Sequence, residues 1–142
     1  MHQEEHHQVY LGLGSNQGDR RQLIHRAIGL IGERIGTVTR QSSLIETEPW
    51  GFESPNKFLN GVIRCETSLT PREVLRLTQQ IERELGRKRK SLPAARNYAD
   101  RPIDIDILLY DDWHVDEPDL KIPHPLMHER AFVMRPLHEI DY

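Results

Sequence analysis

Asp104 and Asp106 are separated by one residue, and they interleave with Ile103, Ile105, Ile107 and Leu109. In an extended strand successive side chains point to opposite faces, so strict alternation puts both carboxylates on one face and the four apolar side chains on the other. The rise of a strand sets the carboxylates about 6–7 Å apart. Two like charges on one face repel. A hard cation between them removes that problem, and Mg²⁺ is commonly held by one or two carboxylates together with substrate phosphates. The plain alternative is the solvated polar face of an edge strand.

The segment before this strand bears on the choice. Arg87, Lys88, Arg89 and Lys90 are consecutive, and Arg96 and Arg101 follow. Arginine pairs with phosphate oxygens bidentately and lysine acts as a point charge, so these residues form a candidate phosphate clamp. Their alternative is a solvated charge run. ATP would bring both the cation and the negative charge that the two segments require. Phe58 and Asn60 share a strand face, placing a ring beside an amide that both donates and accepts, as a heterocycle edge needs; Phe58 serves equally well as core. Gln79 and Glu82 are three apart on one side of a helix, with solvent exposure as their alternative.

Other residues carry weaker signals. Gly12, Gly14 and Gly18 follow a strand and precede a helix, but Gln17 stands where a dinucleotide fingerprint needs its third glycine, and no Lys-Ser/Thr pair completes a P-loop. They read as a tight structural turn, with Ser15 and Asn16 as lesser candidates for the site. Pro123-His124-Pro125 fixes a histidine in a rigid extended segment, where it binds phosphate or caps a strand. Cys65 reads as a small core residue. His2, His6 and His7 read as part of a flexible tail over residues 1–8 rather than a metal site.

These groups need elements to hold them. Residues 9–13 read as a first strand, followed by a helix capped by Asp19, with Leu23, Ile24, Ala27, Ile28, Ile31 and Ile35 on one stripe. Residues 37–45 are β-branched and read as a second strand, and 58–67 as a third. Between them, 46–57 is a long loop with two prolines and a glycine. Thr70, Pro71 and Glu73 open a second helix as a capping box with proline at the first position. After the basic loop, 103–110 is the fourth strand; short pieces follow, at 113–115 and around 130–137. The order β-α-β-β-α-β predicts a ferredoxin-like α+β fold: an antiparallel sheet with both helices on one face. The other face is open, and the two long loops flanking it look like lids over a ligand.

The whole chain is compatible with this. Its 142 residues make one domain, residues 9–142, large enough to bury a core without staples. It is 37% hydrophobic and 29% charged, ordinary for a soluble protein. One cysteine excludes an internal disulfide framework, and there is neither a membrane-length apolar run nor a signal-peptide pattern, so the cytoplasm is expected. A net charge of −3 argues against broad nucleic-acid binding; a local basic segment suits a small anionic ligand better.

Taken together, the ordered blocks LGLGSNQGD (11–19), TEPWG (47–51), FLNGV (58–62), TQQIE (78–82), GRKRK (86–90), RPIDIDILLY (101–110), IPHP (122–125) and ERAFVMRPL (129–137) resemble the 6-hydroxymethyl-7,8-dihydropterin pyrophosphokinase family of folate biosynthesis. The resemblance implies an α-β-α sandwich around the ferredoxin-like core. It implies Mg²⁺-dependent transfer of the β,γ-pyrophosphoryl group of ATP to the pterin hydroxymethyl oxygen, with release of AMP. Asp104 and Asp106 then hold two Mg²⁺ ions, and Arg87 and Arg101 assist the transfer from a mobile loop. Gln79, Glu82, Arg89, Arg101, Ile107, His124 and Arg130 match ATP-contacting positions. Lys121 and Asp119 stand where further ATP contacts are expected, Asp119 with the wrong charge. Phe58 and Phe132 match the rings that sandwich the pterin, and Asn60 with the backbone of Thr47, Pro49 and Trp50 reads its edges. A monomer is expected, with no nucleic-acid or membrane partner.

Overall fold

A computed structural model describes residues 6–48, 55–86 and 102–140 of the chain. Its elements are β1 (His7–Ser15), α1 (Arg20–Arg34), β2 (Thr37–Gln41), β3 (Ile45–Thr47), β4 (Phe58–Thr67), α2 (Pro71–Glu84), β5 (Asp104–Tyr110), β6 (Val115–Glu117), β7 (Leu120–Ile122) and α3 (Ala131–Glu139). The main sheet runs β2-β4-β1-β5, with β3 also alongside β4, and every pairing is antiparallel. This is the ferredoxin-like order, with the acidic strand β5 at the edge.

The helices start where local chemistry starts them. The Asp19 carboxylate accepts from Gln22 N at 3.2 Å and caps α1. On α2 the capping box is complete: Thr70 Oγ1 accepts from Glu73 N at 3.2 Å, and Glu73 Oε1 accepts from Thr70 N at 2.9 Å. Both helices press onto one sheet face, where Ile24, Ile31, Val74 and Ile81 meet Val9, Leu11, Leu13 and Ile105 in the larger core. A smaller core on the opposite face packs Val133, Leu137 and Ile140 of the α3 region against Val62, Leu108 and Leu109. The layers are therefore α-β-α, and α3 covers only part of the second face.

Five expectations change in detail. The expected tail over residues 1–8 does not hold for its last two residues, because β1 begins at His7. Its backbone pairs with β4 opposite Thr67, and its ring nitrogen lies 2.6 Å from Asp111 Oδ2. The single strand over 37–45 is two strands. Ser42 and Ser43 interrupt it, because their side chains offer the backbone alternative partners: Ser42 Oγ accepts from Val62 N at 2.9 Å, and Ser43 N and Oγ donate to the Glu139 carboxylate at 2.8 and 2.7 Å. The 113–115 piece is the start of a β6–β7 hairpin displaced to Val115–Ile122. The Pro123-His124-Pro125 segment bends rather than extends, with a cis Ile122–Pro123 bond.

The fifth change concerns β5. Its alternation is not strict to the end, since Leu11 faces Ile107 while Tyr10 faces Leu109. One extra residue, Leu108, is inserted against β1, which is a β-bulge. Leu109 therefore joins Leu108 on the α3 face instead of following Ile107 toward the helices, and Tyr110 turns into the larger core. The bulged Leu108 carbonyl accepts from His124 N at 2.9 Å, fixing the following segment against the sheet.

Candidate active site

The open part of the α3 face holds a cleft lined by β1, β3, β4, β5 and the start of α3. Its floor is the middle strand. Gly14 on β1 faces Asn60 on β4 and Asp104 on β5; Gly12 faces Val62 and Asp106. Each row thus crosses three strands with a glycine at the centre, leaving a trough between flanking side chains. Two strand spacings separate Asn60 from Asp104, about 10 Å between Cα atoms. A side chain on Gly14 would close the trough, because an added Cβ would stand 2.8 Å from Asn60 Oδ1 and 3.5 Å from Phe58 Cδ1.

One wall is β3 and β4. Asn60 is 6% exposed, and its Nδ2 donates to Thr47 Oγ1 at 2.6 Å, which fixes the amide plane with its oxygen over Gly14. Phe58 stands beside it, half-buried at the start of β4. The other wall is β5, where Asp104 and Asp106 are half-buried on the cleft side and Ile105 is buried beneath. α3 supplies the roof with Phe132 and Val133, preceded by Arg130, whose guanidinium carbon lies 5.6 Å from the Phe132 ring centroid. That spacing suits a cation over an aromatic face. The cleft therefore sets an aromatic slot with one buried amide beside a pair of carboxylates and an arginine.

Among the sequence-selected residues, Thr47, Phe58, Asn60, Asp104, Asp106, Arg130 and Phe132 all line this cleft. Pro49, Trp50, Arg87, Arg89 and Arg101 lie outside the described residues. The others stand elsewhere. Gln79 is half-buried on α2, Ile107 faces the helical core, and His124 sits past β7 with its ring Nδ1 accepting from Leu126 N at 3.3 Å. Lys121 is on the exposed hairpin and bonds Asp116 Oδ1 at 2.6 Å; opposite charge two residues into the facing strand engages it there. Asp119 accepts from Arg72 at 2.7 Å, so its charge is met from α2, and Arg72 also reaches Glu117.

Glu82 is not the solvent-exposed residue its helix position allows. It is 2% exposed, and its carboxylate accepts the backbone N–H of Ile105 at 2.7 Å. It thereby grips β5 at the residue between the two aspartates. The bond lies on the backbone between the two aspartates, so Glu82 acts on the acidic pair through the main chain.

The glycine motif also takes a different place. Only Gly18, at φ +70°, is in the turn. Gly12 and Gly14 lie within β1 and make the cleft floor, a role visible in the sequence only as glycine at alternate strand positions, which marks close approach of another group. Ser15 and Asn16 are buried outside the cleft; Asn16 Nδ2 donates to Asn56 O at 3.3 Å. Cys65 is fully buried, and burial pushes its thiol up to about 11, so it is inert.

The carboxylate pair fits a hard cation. Among the described residues no three or more His, Cys, Asp or Glu side chains cluster as a protein-only cage. Two half-buried carboxylates at a cleft wall form an open donor set that needs further oxygens from a ligand, which is the way Mg²⁺ is held with phosphates.

Comparison with known proteins gives the family. The family model for 7,8-dihydro-6-hydroxymethylpterin-pyrophosphokinase (HPPK) matches residues 10–142. The 2-amino-4-hydroxy-6-hydroxymethyldihydropteridine pyrophosphokinase of Porphyromonas gingivalis is 50% identical over 133 residues, covering 93% of this chain and 89% of that protein. The Bacillus subtilis protein of the same name is 45% identical over 133 residues, covering 93% and 77%. A folate synthesis bifunctional protein of Arabidopsis thaliana is 39% identical over 133 residues, 94% of this chain but 27% of its own length. Among solved structures, wild-type Plasmodium falciparum HPPK-DHPS with pteroate superposes with a TM-score of 0.75 at 14% identity, over 99% of this chain and 40% of that one. That likeness carries the fold, and this chain spans about two fifths of the bifunctional protein. Among the described residues no helix is long and apolar enough to cross a membrane. A family model over nearly the whole length, joined to relatives at half identity, places this chain in the HPPK family, the pyrophosphokinases of folate synthesis.

Proposed function

We propose that the protein transfers the β,γ-pyrophosphoryl group of ATP to 6-hydroxymethyl-7,8-dihydropterin. The hydroxymethyl oxygen forms a bond to the β-phosphorus, the bond from that phosphorus to the AMP oxygen breaks, and the hydroxyl proton is released. The observation that carries the reading is the shared cleft: Asp104 and Asp106 lie across the glycine floor from Asn60 and Phe58, under Phe132.

Asp104 and Asp106 are the residues that would hold Mg²⁺, which when bound neutralises charge on the phosphate oxygens. The remaining contributions belong to the protein. Phe58 and Phe132 offer two faces for a flat heterocycle and exclude water from it. The Asn60 amide, held by Thr47, reads the ring's edge with its remaining donor and acceptor positions. Arg130 sets a positive charge in the roof, beside the space between the carboxylates and the aromatic slot, where phosphate oxygens would lie. Little covalent chemistry is then asked of the protein, and rate comes from positioning and charge. Arg87, Arg89 and Arg101 would supply further phosphate contacts, with Gln79, Lys121 and His124 as peripheral candidates on the nucleotide side.

The test is product analysis with ATP, Mg²⁺ and the pterin. The reading expects AMP and the pterin diphosphate in equal amounts, with none formed when either the metal or the pterin is omitted. ADP would mean single phosphoryl transfer. AMP without pterin would mean a nucleotide hydrolase, and intact ATP binding with no turnover would mean a binding module.

A further inference from the structure

Arg20 opens α1, on the far side of β1 from the acidic strand, and nothing in the cleft itself calls for it. Its guanidinium nevertheless makes two directed contacts: Nη1 donates to the Lys57 carbonyl at 2.8 Å, and Nη2 donates to Glu46 Oε2 at 2.8 Å. Both acceptors directly precede cleft residues. Lys57 is followed by Phe58, and Glu46 by Thr47, whose hydroxyl holds the Asn60 amide. β3 is only three residues long and pairs with β4 alone, so its hold on the sheet is slight.

We infer that Arg20 is a positioning residue for the pterin half of the cleft: one planar fork tethers Glu46 and Lys57 to α1 and so sets Thr47 and Phe58 relative to Asn60. The inference deepens the function proposed above and rests on it. Guanidinium suits the task because its donors diverge in a fixed plane, so one side chain reaches a carboxylate and a carbonyl at once; lysine offers a point charge without that geometry. The Glu46 carboxyl is held below the usual carboxylate range, chiefly by the hydrogen bond from Arg20. The acidic wall on β5 lies across the glycine floor of β1 from β3 and β4, so the tether's influence should be confined to one substrate.

Three variants test it: Arg20→Met, Arg20→Lys and Glu46→Gln. Amide hydrogen exchange is measured first on the full chain without ligand. The expected result in Arg20→Met is roughly tenfold faster exchange in peptides spanning 45–47 and 57–59, with α1 peptides within about twofold of wild type. Steady-state kinetics should then show a pterin KM raised about five- to tenfold, with kcat and the ATP KM within about twofold. Arg20→Lys and Glu46→Gln each keep part of the network and should fall between. Unchanged exchange in both peptides overturns the tether whatever the enzyme does. Faster exchange with a wild-type pterin KM, or equal rises in both KM values, overturns its role at the site. A wild-type chain with no pterin-dependent turnover is a failure of the parent function, recognised before any variant is compared, and the assignment to the pterin half falls with it.

Discussion

Replacing Gly14 with alanine adds one methyl group to the cleft floor and leaves every charged group in place. Its Cβ would stand 2.8 Å from Asn60 Oδ1, well inside contact distance, and 3.5 Å from Phe58, which is tolerable. Asn60 must therefore yield, and it is not free to, because its Nδ2 is bonded to Thr47 Oγ1 at 2.6 Å. Turning the amide away gives up that hydrogen bond, about 0.5–1.5 kcal/mol. An off-rotamer side chain adds a similar 0.5–1.5 kcal/mol or so. Against this, Gly14 is not among the positive-φ glycines, so alanine fits the strand backbone and recovers roughly 0.4–1 kcal/mol through the unfolded chain. Net destabilisation is then at most about 2–3 kcal/mol, or roughly 5–10 °C in Tm for a chain of this length.

The functional effect should be larger and one-sided. A displaced amide forfeits one or two hydrogen bonds to the pterin edge, about 1–3 kcal/mol, which is roughly a 5- to 150-fold loss of affinity. Titration calorimetry with the pterin, and separately with Mg²⁺ and a non-hydrolysable ATP analogue, reads the two halves independently. The reasoning predicts a weakened pterin and an ATP analogue within about twofold of wild type. Pterin affinity equal to wild type would refute the place given to Asn60 and Gly14, and equal loss of both ligands would refute the division of the cleft.

Further perturbations separate the parts. Asp104→Asn and Asp106→Asn each remove one cation ligand, and loss of several kcal/mol of transition-state stabilisation should lower kcat by about a thousandfold or more. Tm should hold or rise, since one of two neighbouring like charges is gone; activity near normal in both would sink the metal assignment. Glu82→Ala removes the acceptor of a buried backbone N–H on β5, a cost of about 1–3 kcal/mol. Calorimetry should show a fall of roughly 3–10 °C, and Glu82→Gln, whose amide oxygen can accept the same bond, should recover much of it; an unmoved Tm in Glu82→Ala would show that the bond contributes nothing. Several carboxyls sit below their usual range: Glu46 through the hydrogen bond from Arg20, Glu84 through that from Arg34, Asp119 through that from Arg72 and Glu73 through the backbone of Thr70. A depressed folded-state value stabilises the native state above the unfolded value near 4.3 and loses that contribution as pH falls through the folded one. Tm should therefore be level from about pH 5 to 8 and decline below about pH 4, modestly because all four are exposed; a level Tm down to pH 3 would contradict the shifts.

Much of the fold was legible because it follows from local chemistry. Asp19 and the Thr70–Glu73 box start the helices where their sequences say, and the apolar stripes of α1 and α2 face the sheet. Phe58–Thr67 is a strand over the whole expected span, and its register with β1 runs without a break. Legibility failed where a non-local partner decides. His7 extends β1 because β4 and Asp111 are there to receive it, and the β2–β3 break depends on Glu139, nearly a hundred residues away. The Leu108 bulge has no local signature: Leu108 and Leu109 are equally apolar, and which face each takes is set by β1 and α3. The site divides similarly. Asp104, Asp106, Phe58 and Asn60 announce themselves by type and spacing. Glu82 and Arg20 look like ordinary surface charges until the strands they hold are in place, and Gly12 and Gly14 resemble a turn until β1 is seen to run through them.

The central claim is that one cleft presents a carboxylate pair on β5 opposite an aromatic and amide slot on β4 and α3. The direct measurement is a crystal structure of the chain with Mn²⁺ in place of Mg²⁺, a non-hydrolysable ATP analogue and the pterin, with the metal located by its anomalous scattering. The account predicts an anomalous peak within coordination distance of both Asp104 and Asp106, and the pterin between Phe58 and Phe132 with its edge on Asn60. A metal held away from those carboxylates, or a pterin outside that slot, would contradict it.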